Sequence, residues 1–280
     1  MTDDLTSWIG HRREIEDQCA LPLVRRVAAL LDADPETIRD GDPLPPGWHA
    51  CLFTPRTRQS QLREDGHALG DPLMPPAPLP RRMLGGRRCQ YLEPVHVGED
   101  LRRHDEITAI TRKQGSSGEM VIVTTRHTIV GAGGADPRLI EEQDSLYLAA
   151  AADGTPKAPR PEPEMPTPLV SELQPTDTTL LFRYSAVTFN THRIHYDLPY
   201  ATGTEGYPQL VVNGGLVTLL LLDLFRRSIG RPLTRTDTRN RAAAHCGCDL
   251  RLCIAARAEG WVLWAETATS GKVLMEMNAQ

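Results

Sequence analysis

Apolar residues along the chain follow two periods, and the clearest runs predict one buried helix among antiparallel strands. After Asn213 the apolar side chains are nearly continuous, which predicts a buried helix over residues 214–229. A run rich in β-branched residues predicts a largely buried antiparallel strand at residues 119–130, and a further strand is predicted at residues 260–267. One helix laid on a curved antiparallel sheet is an α+β arrangement.

Weaker patterns predict the remaining elements. Apolar residues at mixed three- and four-residue spacing predict helix over residues 3–31, interrupted at Pro22. Residues 81–88, RRMLGGRR, are predicted as a helix or turn that precedes strands. Further strands are predicted at residues 51–53, 88–92, 105–113, 180–188, 240–244, 248–256 and 272–277.

Proline-rich segments divide the chain. Residues 149–168 are so rich in Ala, Pro and charge that they contribute little to a core, and we interpret them as a linker. This gives an N-terminal unit, residues 1–148, and a C-terminal unit, residues 169–280, although 280 residues also accommodate one large domain. The polar residues 59–80 lack periodicity, and such a segment in a compact protein is more often functional or interface-forming than idle.

Composition and charge narrow the class of protein. The net charge of −5 argues against a nucleic-acid partner or a membrane surface. Arg81, Arg82, Arg87 and Arg88 form a local basic cluster, which suits a small anionic ligand better than a polymer. No charge-free apolar run approaches the roughly 20 residues of a membrane span, and the first residues lack the pattern of a signal peptide. We therefore expect a cytoplasmic protein.

The cysteines do not indicate a metal site. The six cysteines are scattered, and only Cys246 and Cys248 are close, at a C-x-C spacing that differs from the C-x-x-C of metal sites. His245 beside them leaves the set of ligands too small. We expect reduced, structural thiols and no bound metal.

A polar, titratable loop directly precedes the predicted 214–229 helix. It carries Asn190, His192, His195 and Asp197. Histidine transfers protons near neutral pH, and the free N–H groups of a helix N-terminus can hold a negatively charged oxygen. The residues alone leave two interpretations open: a proton-transfer site, or a loop that its histidines merely hold in place by hydrogen bonds.

Longer strings in this region carry a family resemblance. SAVTFNTHRIHYDLPYA followed by EGYPQLVVNGGL resembles the MaoC-like, type 2 hydroxyacyl-thioester dehydratases, in particular the branch similar to 3-methylfumaryl-CoA (mesaconyl-type) hydratases. WIGHRREIEDQ, GDPLPPGWHACLF, RQSQLREDGH and PPAPLPRRMLGGRR extend the resemblance over the first half. It implies an α+β double hot-dog fold, in which each unit is an antiparallel sheet wrapped around a central helix, with an acyl-CoA between the units.

The resemblance also implies roles for individual residues. His195 falls on the family's catalytic histidine and Asn190 on the aspartate position five residues before it. Asn213 and Gly214 fall on the His-Gly pair that opens the hot-dog helix, so Asn213 departs from the family pattern. The implied reaction is reversible addition of water to the C=C of a 2-enoyl acyl-CoA, including branched dicarboxylic ones. His195 then acts as general acid and base, and the Gly214 N–H donates to the oxyanion.

Other groups complete the expected site. Arg81 and Arg82 are expected to contact CoA phosphates or a substrate carboxylate, or else to be a solvated pair. His192, Asn213 and Tyr196 are further expected to contact the substrate. We expect no metal and no cofactor beyond the CoA of the substrate. We also expect a homodimer.

Because Asn190 cannot accept a proton, the reaction would depend on His195 alone or on a neighbour such as Asp197 or Glu205. For Asp197 the alternative is a structural role as a loop cap or a salt bridge to Arg193. Rival functions are a dehydratase acting on a carrier-protein thioester, a hot-dog thioesterase and a non-catalytic acyl-thioester-binding subunit.

Overall fold

The computed structural model describes residues 5–76, 79, 81–115, 118–148 and 162–280. Most of the predicted linker, residues 149–161, lies outside the described residues. Its remainder, residues 162–168, forms neither helix nor strand.

The described residues of the first half form five strands and one short helix, with several 3-10 turns between them. The elements are β1 Arg12–Gln18, α1 Leu21–Leu30, β2 Arg81–Tyr91, β3 Asp100–Gly115, β4 Gly118–Gly131 and β5 Pro137–Leu148. The 3-10 turns are Leu5–Trp8, Pro35–Thr37, Trp48–Cys51 and Gln59–Gln61.

The second half repeats the five strands but contains more helix. Its elements are β6 Val170–Gln174, α2 Thr178–Val187, α3 Leu198–Gly203, α4 Gly214–Ser228, β7 Arg235–Asn240, β8 Leu250–Arg257, β9 Gly260–Thr267 and β10 Val273–Ala279. A single 3-10 turn, Arg193–His195, lies between α2 and α3. No helix in the described part has the length and apolarity that crossing a membrane requires.

All ten strands form one antiparallel sheet, in the order β1-β3-β4-β5-β2-β7-β10-β9-β8-β6. From the central pair outward, β2, β5, β4, β3 and β1 of the first half match β7, β10, β9, β8 and β6 of the second. Each half therefore has the same topology, and β2 pairs with β7 where the halves meet. The predicted α+β architecture is confirmed.

A glycine allows the two halves to meet closely. Gly86 of β2 is paired with Arg239 of β7, and a Cβ on Gly86 would come within 2.5 Å of the Thr238 carbonyl oxygen. Next to the β2 bulge, Asn240 donates from Nδ2 to the Leu84 carbonyl at 3.2 Å. The junction therefore combines backbone pairing with a side-chain bond across the halves.

The helix α4 is the centre of the core. Asn213 caps it by accepting the Gly215 N–H at 2.8 Å, and the helix packs against β8 and β9. Ten of its fifteen residues are buried. First-half side chains such as Trp48 and Leu52 join the same core cluster. The core is thus continuous across both halves.

The first half lacks an equivalent of α4 among its described residues, where α1 is the longest helix. In its place a line of polar side chains crosses the core-facing side of the sheet, each paired in register with the next. This line, the polar row, consists of Arg13, Asp105, His127, Glu141, Cys89 and Thr236. It separates the main core from a small apolar cluster around Ile107 and Val123. The core-facing side of the first half is therefore partly polar.

Several predicted elements are correct. The helix at 214–229 is α4, and the strand at 260–267 is β9. The strands predicted at 88–92, 105–113, 119–130, 248–256 and 272–277 lie in β2, β3, β4, β8 and β10. The pattern within each of these segments was sufficient to predict its secondary structure.

Other predictions are wrong. Residues 12–18 form a strand rather than helix because they pair with β3, and residues 81–88 form β2 because β5 and β7 pair with them from both sides. Residues 180–188 lie mostly in α2, which Asp177 caps. The strand predicted at 240–244 ends at Asn240, and a 3-10 turn replaces the strand at 51–53.

Replacing Gly86 with alanine should weaken the junction, because the added methyl must push the Thr238 carbonyl away. We expect G86A to lower the free energy of unfolding by about 1–3 kcal/mol, measured by chemical denaturation. The matched control is G133A, since a Cβ on Gly133 meets nothing within 4 Å. Equal stability of the two variants would contradict the close approach at β2–β7.

Candidate active site

The loop between α2 and α3 begins with a constrained turn. Phe189 has a positive φ of 49°, and the Asn190 side chain accepts the His192 N–H at 3.0 Å. This is a turn in which a side-chain amide substitutes for a backbone acceptor. The following 3-10 turn brings His195 inward, where it is buried.

Two hydrogen bonds fix the orientation of the His195 ring. Nδ1 lies 2.7 Å from the carbonyl oxygen of Val211, and Nε2 lies 3.3 Å from Nδ2 of Asn213. A carbonyl oxygen only accepts, so Nδ1 carries the proton. The other nitrogen is then left with its lone pair.

Asn213 supports the same tautomer from the opposite side. Its Oδ1 accepts the Gly215 N–H, so its amide NH₂ must face His195. An NH₂ group donates and cannot accept, which requires a lone pair on Nε2. The ring of His195 is therefore neutral, with Nε2 as its basic atom.

The surroundings of His195 favour this neutral form. Burial lowers the pKa of His195, its bond to Val211 opposes the shift, and the nearby His67 adds to it. A buried imidazole that stays neutral near pH 7 suits a general base.

Two more imidazoles lie beside His195. The ring of His192 is 5.5 Å from that of His195 and perpendicular to it, and the ring of His67 is 4.1 Å from that of His192. Burial lowers the pKa of His192 to about 3, with further contributions from His67 and His195. His192 is thus neutral as well.

His67 belongs to a segment from the first half that lies over this loop. This segment, the strap, comprises residues 59–69 and closes on itself through the Leu62–Ala68 bridge and the bond from the Arg63 N–H to the His67 carbonyl at 2.7 Å. Asp65 lies 3.2 Å from Nδ1 of His67. The strap therefore presents an acid–imidazole pair to the loop.

Backbone contacts hold the strap on the loop. Thr191 donates from Oγ1 to the Gly66 carbonyl at 2.6 Å, and the Arg193 N–H donates to the Asp65 carbonyl at 3.0 Å. Gly66 has a φ of +88°, and a Cβ there would collide with the Thr191 carbonyl. Only glycine fits this position.

The start of α4 provides a free donor next to His195. The Gly214 N–H has no hydrogen-bond partner among the described residues, as expected for the first turn of a helix. The Tyr184 hydroxyl packs against Gly215, where a Cβ would collide with it. Asn240 lies on the other side, 3.3 Å from the position of a Cβ on Gly214. Side chains thus pack closely around the N-terminus of α4, while the Gly214 N–H remains available to a ligand.

The structure brings some predicted residues together and separates others. His195, Asn213 and His192 adjoin one another, and Gly214 follows Asn213 directly. Tyr196 is exposed and donates from its hydroxyl to the Thr191 carbonyl at 3.0 Å. The contacts that we predicted for Tyr196 with substrate therefore stay a prediction.

The side-chain oxygen of Asn190 accepts the His192 N–H in the turn, and its NH₂ has no hydrogen-bond partner among the described residues. Arg81 and Arg82 begin β2, paired through their backbone with Leu148 and Tyr147, and their expected role also stays a prediction.

Asp197 has the structural role that we gave as its alternative. It accepts from Arg193 at 2.7 Å and caps α3 by accepting the Tyr200 N–H at 3.1 Å. Glu205 likewise has a partner, since the Tyr200 hydroxyl donates to it at 3.3 Å.

One cluster in the described part has the composition of a metal site. Ligand atoms of His49, Cys89 and Glu141 lie within 4.8 Å of one another. One oxygen of Glu141 already contacts both the His49 ring at 3.2 Å and the Cys89 thiol at 3.5 Å. Burial alone would raise the pKa of Glu141, but the charge of Arg87 and the bond from His49 hold it well below its usual range. The cluster is a self-contained network in which Arg87 supplies the positive charge.

Sequence reasoning missed the strap and the Val211 carbonyl. The only local signal for the strap was the unpatterned length of residues 59–80, together with the glycine and histidine of its DGH segment. Nothing in the sequence indicates that Val211 would fix the tautomer of His195, because that bond joins residues 16 positions apart.

Replacing Gly66 with alanine should loosen the strap, because the methyl collides with Thr191 and the φ becomes unfavourable. We expect G66A to lower stability by about 1–3 kcal/mol and to change the NMR resonances of the His192 ring. G70A is the control, as a Cβ there meets nothing within 4 Å. Unchanged His192 resonances in G66A would disprove the packing of the strap on this loop.

Comparison with known proteins identifies the family of this chain. The model of the family "Hydroxyacyl-thioester dehydratase type 2" matches residues 47–246. The chain is 40% identical over 245 residues to mesaconyl-C(4)-CoA hydratase of Chloroflexus aurantiacus, covering 85% of this chain and 84% of that protein.

Solved structures show the same fold. A MaoC-like dehydratase superposes with a TM-score of 0.71 at 16% identity, covering 98% of both chains. A conserved hypothetical protein of Mycobacterium tuberculosis with a double hot-dog fold superposes with a TM-score of 0.59 at 14% identity, covering 99% of this chain and 96% of that one. The predicted double hot-dog fold is therefore confirmed, but the central helix that we expected in each unit is α4 in the second half and has no equivalent among the described residues of the first half. The chain belongs to the type 2 hydroxyacyl-thioester dehydratase family of MaoC-like acyl-thioester hydro-lyases.

Proposed function

We propose that this protein reversibly adds water to the C=C bond of a 2-enoyl acyl-CoA, including branched dicarboxylic ones. The observation that supports this most strongly is the pairing of a neutral, buried His195 with the free Gly214 N–H at the start of α4. A base for water and a donor for the thioester oxygen are the two groups that this reaction requires. The 40% sequence identity to a mesaconyl-C(4)-CoA hydratase agrees with this proposal.

In the hydration direction, His195 acts first as a base. Its Nε2 takes a proton from water, and the water oxygen forms a bond to the β-carbon of the enoyl group. The π electrons move onto the thioester, whose carbonyl oxygen becomes negative. His195 then returns the proton to the α-carbon, so that one O–H bond breaks and one C–O and one C–H bond form.

Gly214 stabilises the negative oxygen of this intermediate. Its N–H lies at the positive end of α4 and needs no rearrangement to donate. Glycine also lets the thioester approach the backbone closely. Loss of one such donor typically costs about 3–4 kcal/mol in the transition state.

His195 carries both proton transfers in this scheme. Asn190 cannot accept a proton, and its side-chain oxygen already bonds the His192 N–H. Asp197 is engaged by Arg193, and Glu205 by Tyr200. The Asn190 NH₂ and the His192 ring contact the water or the acyl group rather than replacing the base.

Further parts of the proposal are the contacts with the CoA substrate and the assembly. Arg81 and Arg82 contact CoA phosphates or a substrate carboxylate, and Tyr196 and Asn213 also contact the substrate. The chemistry needs no metal and no cofactor beyond the CoA of the substrate. The active form is a homodimer in the cytoplasm.

The direct test follows loss of enoyl-thioester absorbance when the protein receives crotonyl-CoA or mesaconyl-C4-CoA. We expect hydration by the wild type and a decrease in kcat of about 10²–10⁴-fold in H195Q, the range of general acid–base catalysis. H104Q is the control, because His104 is exposed and pairs with Glu14 away from the site. Release of free thiol instead of hydration would indicate a thioesterase. Acyl-CoA binding without turnover would indicate a binding subunit.

The pH dependence follows from the lowered pKa of His195. The base must be neutral, so kcat/KM should rise with pH through that pKa, with the midpoint of the rise below the ordinary histidine pKa of about 6.5. The N213D variant keeps the helix cap but places a negative charge at Nε2, which favours the protonated ring.

We therefore expect N213D to move the acid limb of kcat/KM to higher pH by about 1–3 units. N213S keeps a capping oxygen without the charge. Its acid limb of kcat/KM should stay within a fraction of a pH unit of the wild-type position. NMR titration of the ring of His195 provides an independent measurement. An unshifted limb in N213D would show that Asn213 does not control the protonation of His195.

A further inference from the structure

Arg87 is a cation inside the protein that the proposed mechanism does not use. Side chains alternate along a strand, so Arg87 lies on the same side of β2 as Cys89 of the polar row, which is the core-facing side. About a quarter of its side chain, 24%, remains accessible. This accessible space on the core-facing side, the hollow, adjoins Arg87.

The two edges of the Arg87 guanidinium differ in their partners. Nε donates to Oε1 of Gln143 at 3.2 Å and lies 3.7 Å from Oε1 of Glu141. Neither Nη1 nor Nη2 has a hydrogen-bond partner among the described residues. The edge formed by these two nitrogens can bind a carboxylate through two parallel bonds.

The hollow lies near the start of α4. Arg87 interacts electrostatically with Tyr184, whose hydroxyl packs against Gly215. On the neighbouring strand, Arg87 is paired with Thr238, two residues before the Asn240 that borders Gly214. Two neighbours, Tyr184 and the strand residue Asn240, thus link Arg87 to the start of α4.

The adjacent arginine is different. Arg88 points to the other side of the strand and is bound by Asp144 at 2.7 Å and by Glu142 at 3.2 Å. Both its edges are therefore occupied. Arg88, whose donor nitrogens all have partners, can therefore be compared with Arg87, whose Nη1–Nη2 edge has none among the described residues.

We infer that Arg87 binds a free carboxylate on the acyl group of the substrate through its Nη1–Nη2 edge, so that the enzyme selects dicarboxylic monothioesters. This rests on the proposed hydration of acyl thioesters, since the acyl group must lie in front of Gly214. Glu141 lies on the Nε side of Arg87, at 3.7 Å, and leaves the Nη1–Nη2 edge open. A carboxylate fits the hollow better than a phosphate because the guanidinium offers one planar edge.

The experiment compares two substrates that share the enoyl thioester and differ in a carboxylate, crotonyl-CoA and mesaconyl-C4-CoA. We expect R87M to lower kcat/KM for mesaconyl-C4-CoA by at least about 30-fold, the smallest loss typical of a truncated buried charge pair. Crotonyl-CoA hydration should change less than about threefold. R88M is the matched control and should retain the wild-type preference.

Binding provides a second measurement that is independent of turnover. Calorimetry with succinyl-CoA and butyryl-CoA compares a carboxylate with a methyl group on saturated acyl chains. R87M should lose affinity for succinyl-CoA only, and R87K, which keeps the charge but not the planar edge, should lose less. If R87M fails to fold, R87K is tested in its place and must still show selective loss for the dicarboxylic ligand.

The outcomes separate this inference from the proposed function. If the wild type hydrates neither substrate, the proposed function fails. If it hydrates both and R87M loses activity equally on both, or on neither, hydration stands and the role of Arg87 is overturned. A wild-type preference for crotonyl-CoA would overturn it too.

Discussion

The start of α4 depends on one side chain, Asn213, whose two amide atoms have different partners. Its oxygen accepts the Gly215 N–H and begins the helix, a contribution of about 1 kcal/mol for caps of this kind. That bond turns the NH₂ toward His195 and leaves Nε2 with its lone pair. The helix that forms the core and the protonation of the buried imidazole therefore depend on the same rotamer. A residue at the His-Gly position that departs from the family pattern thus has a defined role.

The two halves of the sheet use their core-facing sides differently. In the second half α4 covers the sheet with apolar side chains, as a hot-dog helix does. In the first half the polar row occupies that side, where Arg13 and His127 both contact Asp105. Asp105 is fully buried, and a third group, Arg103, contacts it as well. A buried charge is tolerated when it is paired in this way. Polar groups can therefore occupy a side of the sheet that apolar side chains cover in the second half.

Local patterns predicted the elements that need only their own residues, and contacts between distant residues account for the rest. The helix after Asn213 and strand β9 were predictable because each has an unbroken apolar pattern and a clear start. Strand β1 was not, because RREIEDQ contains a single apolar residue and becomes a strand only by pairing with β3. Residues 180–188 have strand-like composition, but the Asp177 cap and buried Leu181 and Tyr184 favour a helix.

The same distinction applies to the site. His195 and Gly214 were predictable from motif and spacing, because both belong to one continuous stretch. The strap was not, since its contacts with Thr191 and Arg193 join residues more than 120 positions apart. Arg87 was visible only as part of a basic cluster, and its separation from Arg88 depends on the two faces of β2. The side of the sheet on which a residue lies, and the residues that it contacts there, depend on strand pairing rather than on the local sequence.

The join between β2 and β7 has a consequence for how such a protein evolves. Two identical units related by a two-fold axis would carry every residue twice, so any change in one would appear in the other. Here the equivalent units are separate stretches of one chain, joined at Gly86 and Arg239. One unit can keep the helix α4 and the loop that carries His195 while its counterpart has no such helix among its described residues. A mutation in the first half is then not repeated at the equivalent position of the second half.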